Sequence, residues 1–283
     1  MTAQELVNRT RNSARVSDAA LRLINLLEQP VLAECEVVRA IESDPILASR
    51  LLRACHPPDF ELKEPVSTVD QAVSLLGSQP ILRLALALAF GQALVVPLPG
   101  YAMEANELWR HSLVTAAAAE TVAGNISDLP ARPGVPFAVG LLHDIGKLVL
   151  SQALTPEVQA DLRYRVERGH HPRSEAEKEV LGTDHAEAGA CLLQNWRVPE
   201  EIVEAVANHH QPVLEPCPRL SAATHLADYV AHLTGSAPGW DADAIRIDPR
   251  VNRTFNLTGN RLENIMISVR ESFNRVDRLM TVG

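Results

Sequence analysis

Residues 140–147 read Gly140-Leu-Leu-His143-Asp144-Ile-Gly146-Lys147. An apolar helix runs into a His-Asp doublet and then meets a glycine. Imidazole and carboxylate are both good ligands for Fe, Mn, Ni or Zn. Adjacent helical residues point about 100° apart. Their tips can still converge on one ion, or bridge two, where the helix end is tucked into a core. A doublet alone is weak evidence, because such pairs arise by chance. The rest of the chain has to supply the partners.

Working outward, His111 lies in Leu-Trp-Arg-His-Ser, on a helix whose 108, 111, 115, 118 face is otherwise Leu, Thr and Ala. His185 follows Thr183-Asp184 at a helix start and shares a face with Gly189 and Leu192, so it points inward. His209 and His210 share a face with Ile202 and Val206. Asp228 is the only acidic side chain between Leu220 and Thr234, and no Lys or Arg accompanies it. Five helices thus bring a His or Asp into apolar surroundings. A buried charge needs a partner, and a metal ion is an economical one.

Plainer readings stand beside this one. A single inward His is ordinarily a hydrogen-bonded core residue. Asp228 lies opposite the stripe of Ala222, Leu226, Tyr229 and Leu233 and reads equally well as exposed. Lys147 reads as a solvated residue complementing a helix dipole, or as a cation facing a phosphate above the metals. Glu107, one turn before His111, reads as an exposed Glu or as an extra ligand. His170-His171 falls in a polar loop and reads as solvated, and His56, His225 and His232 share no face with the others.

The pattern is helical almost everywhere. Leu21, Ile24 and Leu27 or their neighbours form an apolar stripe. Asp44 before Pro45 reads as an N-cap and first helical position. Thr68 and Gln71 suggest a capping box, after which Val69, Ala72, Val73 and Leu76 recur at helical spacing up to Gly77. Ile81–Leu98 is apolar but broken by Arg83, Gly91, Gln92 and Pro97; its clean run falls far short of the roughly 20 residues a bilayer needs. We expect a buried central helix there. Ser174 and Glu177 suggest another capping box, and Val198-Pro199 opens a further helix. A Gly-, Pro-, Asp- and Asn-rich connection over 235–260 leads to a last helix. Its stripe of Leu262, Ile265, Met266, Val269, Phe273 and Val276 must pack on the main body or on a second subunit.

The 283 residues carry 26 basic and 35 acidic side chains, a formal charge of −9, which argues against non-specific nucleic-acid binding. An aromatic content of only 4% beside abundant Ala and Leu favours packed helices over a β-sandwich. Cys35, Cys55, Cys191 and Cys217 show no C-x-x-C spacing, so a reducing compartment is expected, and residues 1–16 have no apolar signal core. Sequons at Asn125, Asn252 and Asn256 then carry no meaning. We expect a cytoplasmic protein that meets neither membrane nor nucleic acid.

His111…His143-Asp144…Asp228 resembles the metal-binding signature of the HD superfamily of phosphohydrolases. The wider sequence is closer to the HDOD family, the HD-related output domain of bacterial signalling. The likeness runs through Ile41-Glu-Ser-Asp-Pro45, Leu51-Leu52-Arg53, Ala72–Gly77, Leu108–Ser112, Gly140–Lys147, Leu181–Gly189, Trp196–Glu201 and Asn208-His-His210. It covers roughly residues 18–235.

The resemblance implies an all-α fold with an N-terminal helical half packed on a degenerate HD-type half; together with the sequence breaks it divides the chain into an N-terminal extension over 1–17, a helical half over 18–100, a metal-binding half over 101–235, and a linker with a C-terminal amphipathic helix over 236–283. It implies one or two divalent ions (Fe, Mn, Ni or Zn) held by His111, His143, Asp144, His185, His209, His210 and Asp228, with Asp144 and Lys147 serving any catalysis. Two departures matter. Ala54-Cys55-His56-Pro57 stands where the family usually has Asn-Ser, and the Gly-Tyr-Pro signature of the cyclic di-GMP hydrolases is absent after His210. The expected function is a signalling module that keeps its metal site and acts mainly by binding a regulatory protein or a small phosphorylated ligand. A working phosphohydrolase is the alternative, and a helical adaptor with a vestigial cluster a third reading. A homodimer through the C-terminal helix is one use for its stripe.

Overall fold

A computed structural model describes residues 1–10, 16–55, 66–124, 132–169, 172–212, 219–236, 239 and 246–280. His56, His170, His171, Asn125 and Cys217 lie outside the described residues. Among the described residues the chain is helical, with a single isolated bridge between Leu98 and Met103.

The first elements are α1 (Ala3–Arg9), α2 (Asp18–Asn25), α3 (Glu34–Glu42), α4 (Pro45–Ala54), α5 (Val69–Leu76) and α6 (Ser78–Leu94). Their starts follow local chemistry. Asp44 accepts the N–H groups of Ile46 and Leu47 at 3.0 and 3.1 Å, with Pro45 at the first helical position. Thr68 accepts from Gln71 N at 3.1 Å, but Gln71 reaches back to Ser67 N, one residue before the cap. Gly77 ends α5 at φ +89°, in the region that favours glycine. In α2 the buried stripe is Ala20, Leu23, Ile24 and then Leu27, with Leu21 half-buried. Helix α6 is buried from Ile81 to Gly91 except at Arg83, as a nearly all-round apolar helix must be. No described helix is long and apolar enough to cross a membrane.

After a 3-10 turn over Pro99–Tyr101 come α7 (Glu107–Gly124), α8 (Val135–Leu142), α9 (Gly146–Ala153), α10 (Pro156–Gly169), α11 (Arg173–Leu181), α12 (His185–Asn195), α13 (Glu200–Ala207), α14 (Arg219–Leu233), α15 (Pro249–Thr254) and α16 (Gly259–Met280). Helix α7 lies between α8 and α14, and α12 lies on α9 and α13. The N-terminal α1 also packs on α9 and α12, burying Leu6 and Val7, so residues before position 18 join the second half.

Two glycines set the closest approaches. A Cβ at Gly140 would stand 2.6 Å from the Cα of Ala116 and the carbonyl of Thr115, so only glycine lets α8 lie this close to the Ala-rich face of α7. A Cβ at Gly146 would overlap the carbonyl of His185, and Gly189 faces Gly146 across the same crossing. These contacts bring the ends of α7, α8, α9 and α12 together.

The C-terminal stripe packs on its own chain. Ile265 and Val269 of α16 are buried in a cluster with Val114, Ala118 and Val122 of α7 and Leu226 and Val230 of α14; Leu262, Met266 and Phe273 flank it. The side chain of Val276 lies outside what is described.

Candidate metal centre

Each expected site residue except His210 is nearly or fully buried, and all seven reach one place. His111 comes from the second turn of α7. His143 caps the C-terminus of α8, with Asp144 beside it before α9 begins. His185 is the first residue of α12, whose start is capped by Asp184 accepting Glu187 N at 2.8 Å. His209 and His210 follow the end of α13, and Asp228 lies mid-way along α14.

The imidazoles are held from behind. His111 donates from Nδ1 to the Ser236 carbonyl at 2.7 Å, His143 to Gly140 at 2.8 Å, and His209 to Val206 at 2.7 Å. A ring that donates from Nδ1 has a bare lone pair on Nε2 when neutral. All three Nε2 atoms therefore turn inward as acceptors. His185 is anchored differently: Nδ1 lies 2.6 Å from the Glu177 carboxylate, and Nε2 lies 3.2 Å from Asp144 Oδ1 and 2.7 Å from His210 Nε2.

That arrangement is a test of whether a cation fits. His111 Nε2 and His143 Nε2 face each other at 3.2 Å, both with their protons committed on the far side. Asp228 Oδ1 is 3.1 Å from the first, and Asp144 Oδ2 is 3.4 Å from the second. His209 Nε2 is buried with no hydrogen bond at all. Converging lone pairs with an orphaned buried acceptor are costly unless a positive charge sits among them. Three groups of residues present ligand atoms within 4.8 Å of one another: Asp144 with His185, His209 and His210; His111 with His143 and Asp144; and His111 with Asp228 and His232. His and Asp side chains suit a divalent transition metal. The residues fit one or two such ions.

Charge follows the packing. Burial would raise the Asp144 carboxyl, but Lys147, whose Nζ sits 2.7 Å from Oδ2, and His143 hold it well below the usual range. Asp228 is likewise held low against burial by His232 and His111. Burial drives His209 down to about 3, with His143 and His185 adding repulsion, and lowers His210 too. His185 goes the other way: burial opposes its charge, but Glu177 and Asp144 push it up to about 10.

Two plainer readings fail here, and a third, that of Glu107, stands. Asp228 is 4% exposed and Lys147 also 4%, so neither is solvated, and Lys147 stands in the first turn of α9. Glu107 accepts the backbone N–H of Glu104 at 2.8 Å and takes no part in the cluster. Ser174 and Glu177 form no capping box, because α11 starts one residue earlier, at Arg173, with Pro172 as its cap. Glu177 is instead fully buried; besides His185 it accepts the hydroxyl of Tyr101 at 2.7 Å.

Sequence reasoning missed Glu177, Tyr101, His225 and His232. His232 places Nδ1 3.1 Å from Asp228, at i+4 on α14, a spacing that was legible. His225 donates to the His209 carbonyl at 2.8 Å and accepts from Asp248 N at 3.0 Å, fixing the His209 backbone from outside.

A family model described as HDOD domain matches residues 14–212. Among solved structures, the chain is similar to a candidate phosphohydrolase from Shewanella amazonensis SB2B, with a TM-score of 0.72 and 25% identity over 97% of each chain. It is similar to a candidate signal transduction protein from Marinobacter aquaeolei VT8, with a TM-score of 0.74 and 26% identity over 97% of this chain and 60% of that one. An HDOD domain protein of unknown function from Geobacter sulfurreducens shares the fold, with a TM-score of 0.72 and 22% identity over 98% of each chain. An uncharacterized protein of Treponema pallidum is 24% identical over 208 residues, 74% of this chain and 39% of the relative's length.

Proposed function

The chain belongs to the HDOD domain family, and from that membership we propose that it is a cytoplasmic signal-transduction module that keeps a divalent metal site and acts mainly by binding a regulatory protein or a small phosphorylated ligand. The observation that carries this is the facing pair His111 Nε2 and His143 Nε2 at 3.2 Å, with both Nδ1 protons given to backbone carbonyls. His111, His143, Asp144 and Asp228 would hold one ion; His185, His209 and His210, with Asp144, a second. Fe, Mn, Ni and Zn all suit this donor set.

The second reading, a metal-dependent phosphohydrolase, is favoured by one feature: the cluster opens onto a cleft and keeps Lys147 buried beside Asp144. A bound ion would polarise a phosphoryl oxygen and lower the pKa of an attacking water. Lys147 would offset negative charge on the transferring group, and Asp144 would hold Lys147 in place. His209, neutral and fixed by the Val206 carbonyl, would present Nε2 without moving.

Metal analysis of untagged protein tests the first part: one or two divalent ions per chain are expected, and a metal-free chain that gains none on titration counts against it. A screen against phosphomonoesters and cyclic dinucleotides separates the two readings. Under hydrolysis, His143→Ala and Asp144→Ala abolish turnover with the fold kept; turnover that survives both comes from elsewhere.

A further inference from the structure

The cluster opens, through Asp144, His185, His210 and Asp228, onto a cleft of about 120 Å3 also lined by Lys147, Arg173 and Arg246, with Glu175 as its one further acidic residue. These three cations and three carboxylates cancel, so the side chains of fixed charge leave the cleft near neutral. Each divalent ion held by the cluster would add two positive charges to that balance. A loaded cleft therefore favours an anion.

Two of these cations are unlike ordinary surface ones. Arg173 is 5% exposed, and its guanidinium lies 4.4 Å over the ring of Tyr101. That ring is itself fixed by its hydroxyl on Glu177 at 2.7 Å. The rotamer freedom that an Arg normally loses on gripping a ligand is already lost in the folded chain. Lys147 lies 5.8 Å from the same ring centroid. Arg246 is exposed and adds a charge on the solvent side. The cleft is smaller than the roughly 300 Å3 at which pockets for drug-sized ligands begin. It admits a compact charged head and leaves the rest of a ligand outside. Two planar guanidinium forks match a phosphoryl group, with three terminal oxygens, better than the two oxygens of a carboxylate.

We propose that this cleft is an oxyanion subsite in which Arg173 and Arg246 hold the phosphoryl group of a small phosphorylated ligand against the metal-bearing face. The proposal rests on the metal reading above, since the ion supplies the positive charge on the face that the phosphoryl group meets.

The test is calorimetric titration of inorganic phosphate into Mn2+-loaded and metal-free protein. Phosphate should bind the loaded form at least about tenfold more tightly than the metal-free one; equal affinity in the two forms overturns the proposal. Arg173→Gln should weaken phosphate binding about tenfold or more, and Arg246→Gln by less, while both keep wild-type Mn2+ stoichiometry and affinity. If Arg173→Gln does not fold, Arg173→Lys, which keeps the charge and loses the fork, takes its place with the same expected direction. Wild-type phosphate affinity in both variants overturns the proposal, as does loaded wild-type protein giving no heat with millimolar phosphate. A chain that takes up no Mn2+ sinks the metal reading as well, and the metal titration reports that separately.

Discussion

One oxygen of the Glu177 carboxylate, Oε2, takes both the Nδ1 proton of His185, at 2.6 Å, and the backbone N–H of the same residue, at 2.8 Å. Ring tautomer and helix start are thus fixed by a single buried group, and Nε2 is left for the cluster. Carboxylates behind metal-bound histidines raise ligand basicity and set ring orientation.

Glu177→Gln should therefore lower divalent metal affinity by roughly 10–100-fold. Tyr101→Phe, which removes the second donor to that carboxylate, should act in the same direction and more weakly. Competitive Mn2+ titration measures both, and long-range 15N NMR of the metal-free protein reads the protonation of the two His185 ring nitrogens. Wild-type affinity in Glu177→Gln, with that protonation unchanged, would show that the carboxylate does not position the ring.

Gly146→Ala should be severely destabilising. The new methyl would meet the carbonyl of His185 and the backbone of Gly189, and neither can move without separating α9 from α12. Overpacking in such a place costs about 1–3 kcal/mol or more. Gly124→Ala, with open space around its Cβ at the end of α7, is the control and should be neutral or slightly stabilising. Thermal melts of the two variants decide; equal melting points would remove the close-packing argument.

Stability of the metal-free protein should peak near pH 6.5 and fall on both sides. His111, His209 and His210 have lowered pKa values, chiefly through burial, His209 to about 3. Below the unfolded His value near 6.5 the unfolded chain takes up protons that these rings refuse, so their contribution is lost as pH falls toward 3. His143, His185 and His232 are raised despite burial, by Asp144, Glu177 and Asp228 in turn, His185 to about 10. Their contribution is complete below 6.5 and fades as pH rises toward 10. Asp144 and Asp228, held low, add a further loss below about 3.8. Melting temperature against pH checks this; a flat profile between 4 and 9, on the order of the window set by these groups, contradicts it.

Metal removal should destabilise the fold measurably. An ion that binds only the folded chain adds RT ln(1 + [L]/Kd), about 2.7 kcal/mol at a free concentration of 100 Kd. Chelator-treated protein should melt lower and recover on adding Mn2+ or Zn2+. His143→Ala protein should recover less, because the facing pair with His111 is gone while Asp144, His185, His209 and His210 remain.

The amino-acid sequence by itself determined what depends on neighbours within a turn or two. Asp44-Pro45 and Thr68 start helices because a cap needs only a side-chain oxygen two or three residues from an unpaired N–H. Gly77 ends one because only its own φ is at stake. His111, His185, His209 and His210 were legible because each shares an apolar helix face, and His143-Asp144 because the doublet ends an apolar helix; Asp228, opposite the apolar stripe of its helix, was singled out by the resemblance to the HD signature. Only the tertiary structure decided what the polar residues at helix starts and turns do. Ser174 and Glu177 have the spacing of an exposed cap, yet Glu177 is buried by α12 and by Tyr101, 76 residues away. Arg173 and Lys147 look like solvent-facing cations until Tyr101 is placed beneath them. Local hydrogen bonds are written in short-range spacing. Burial is a sum over contacts between distant segments, and it is burial that turns an ordinary Glu or Arg into part of a site.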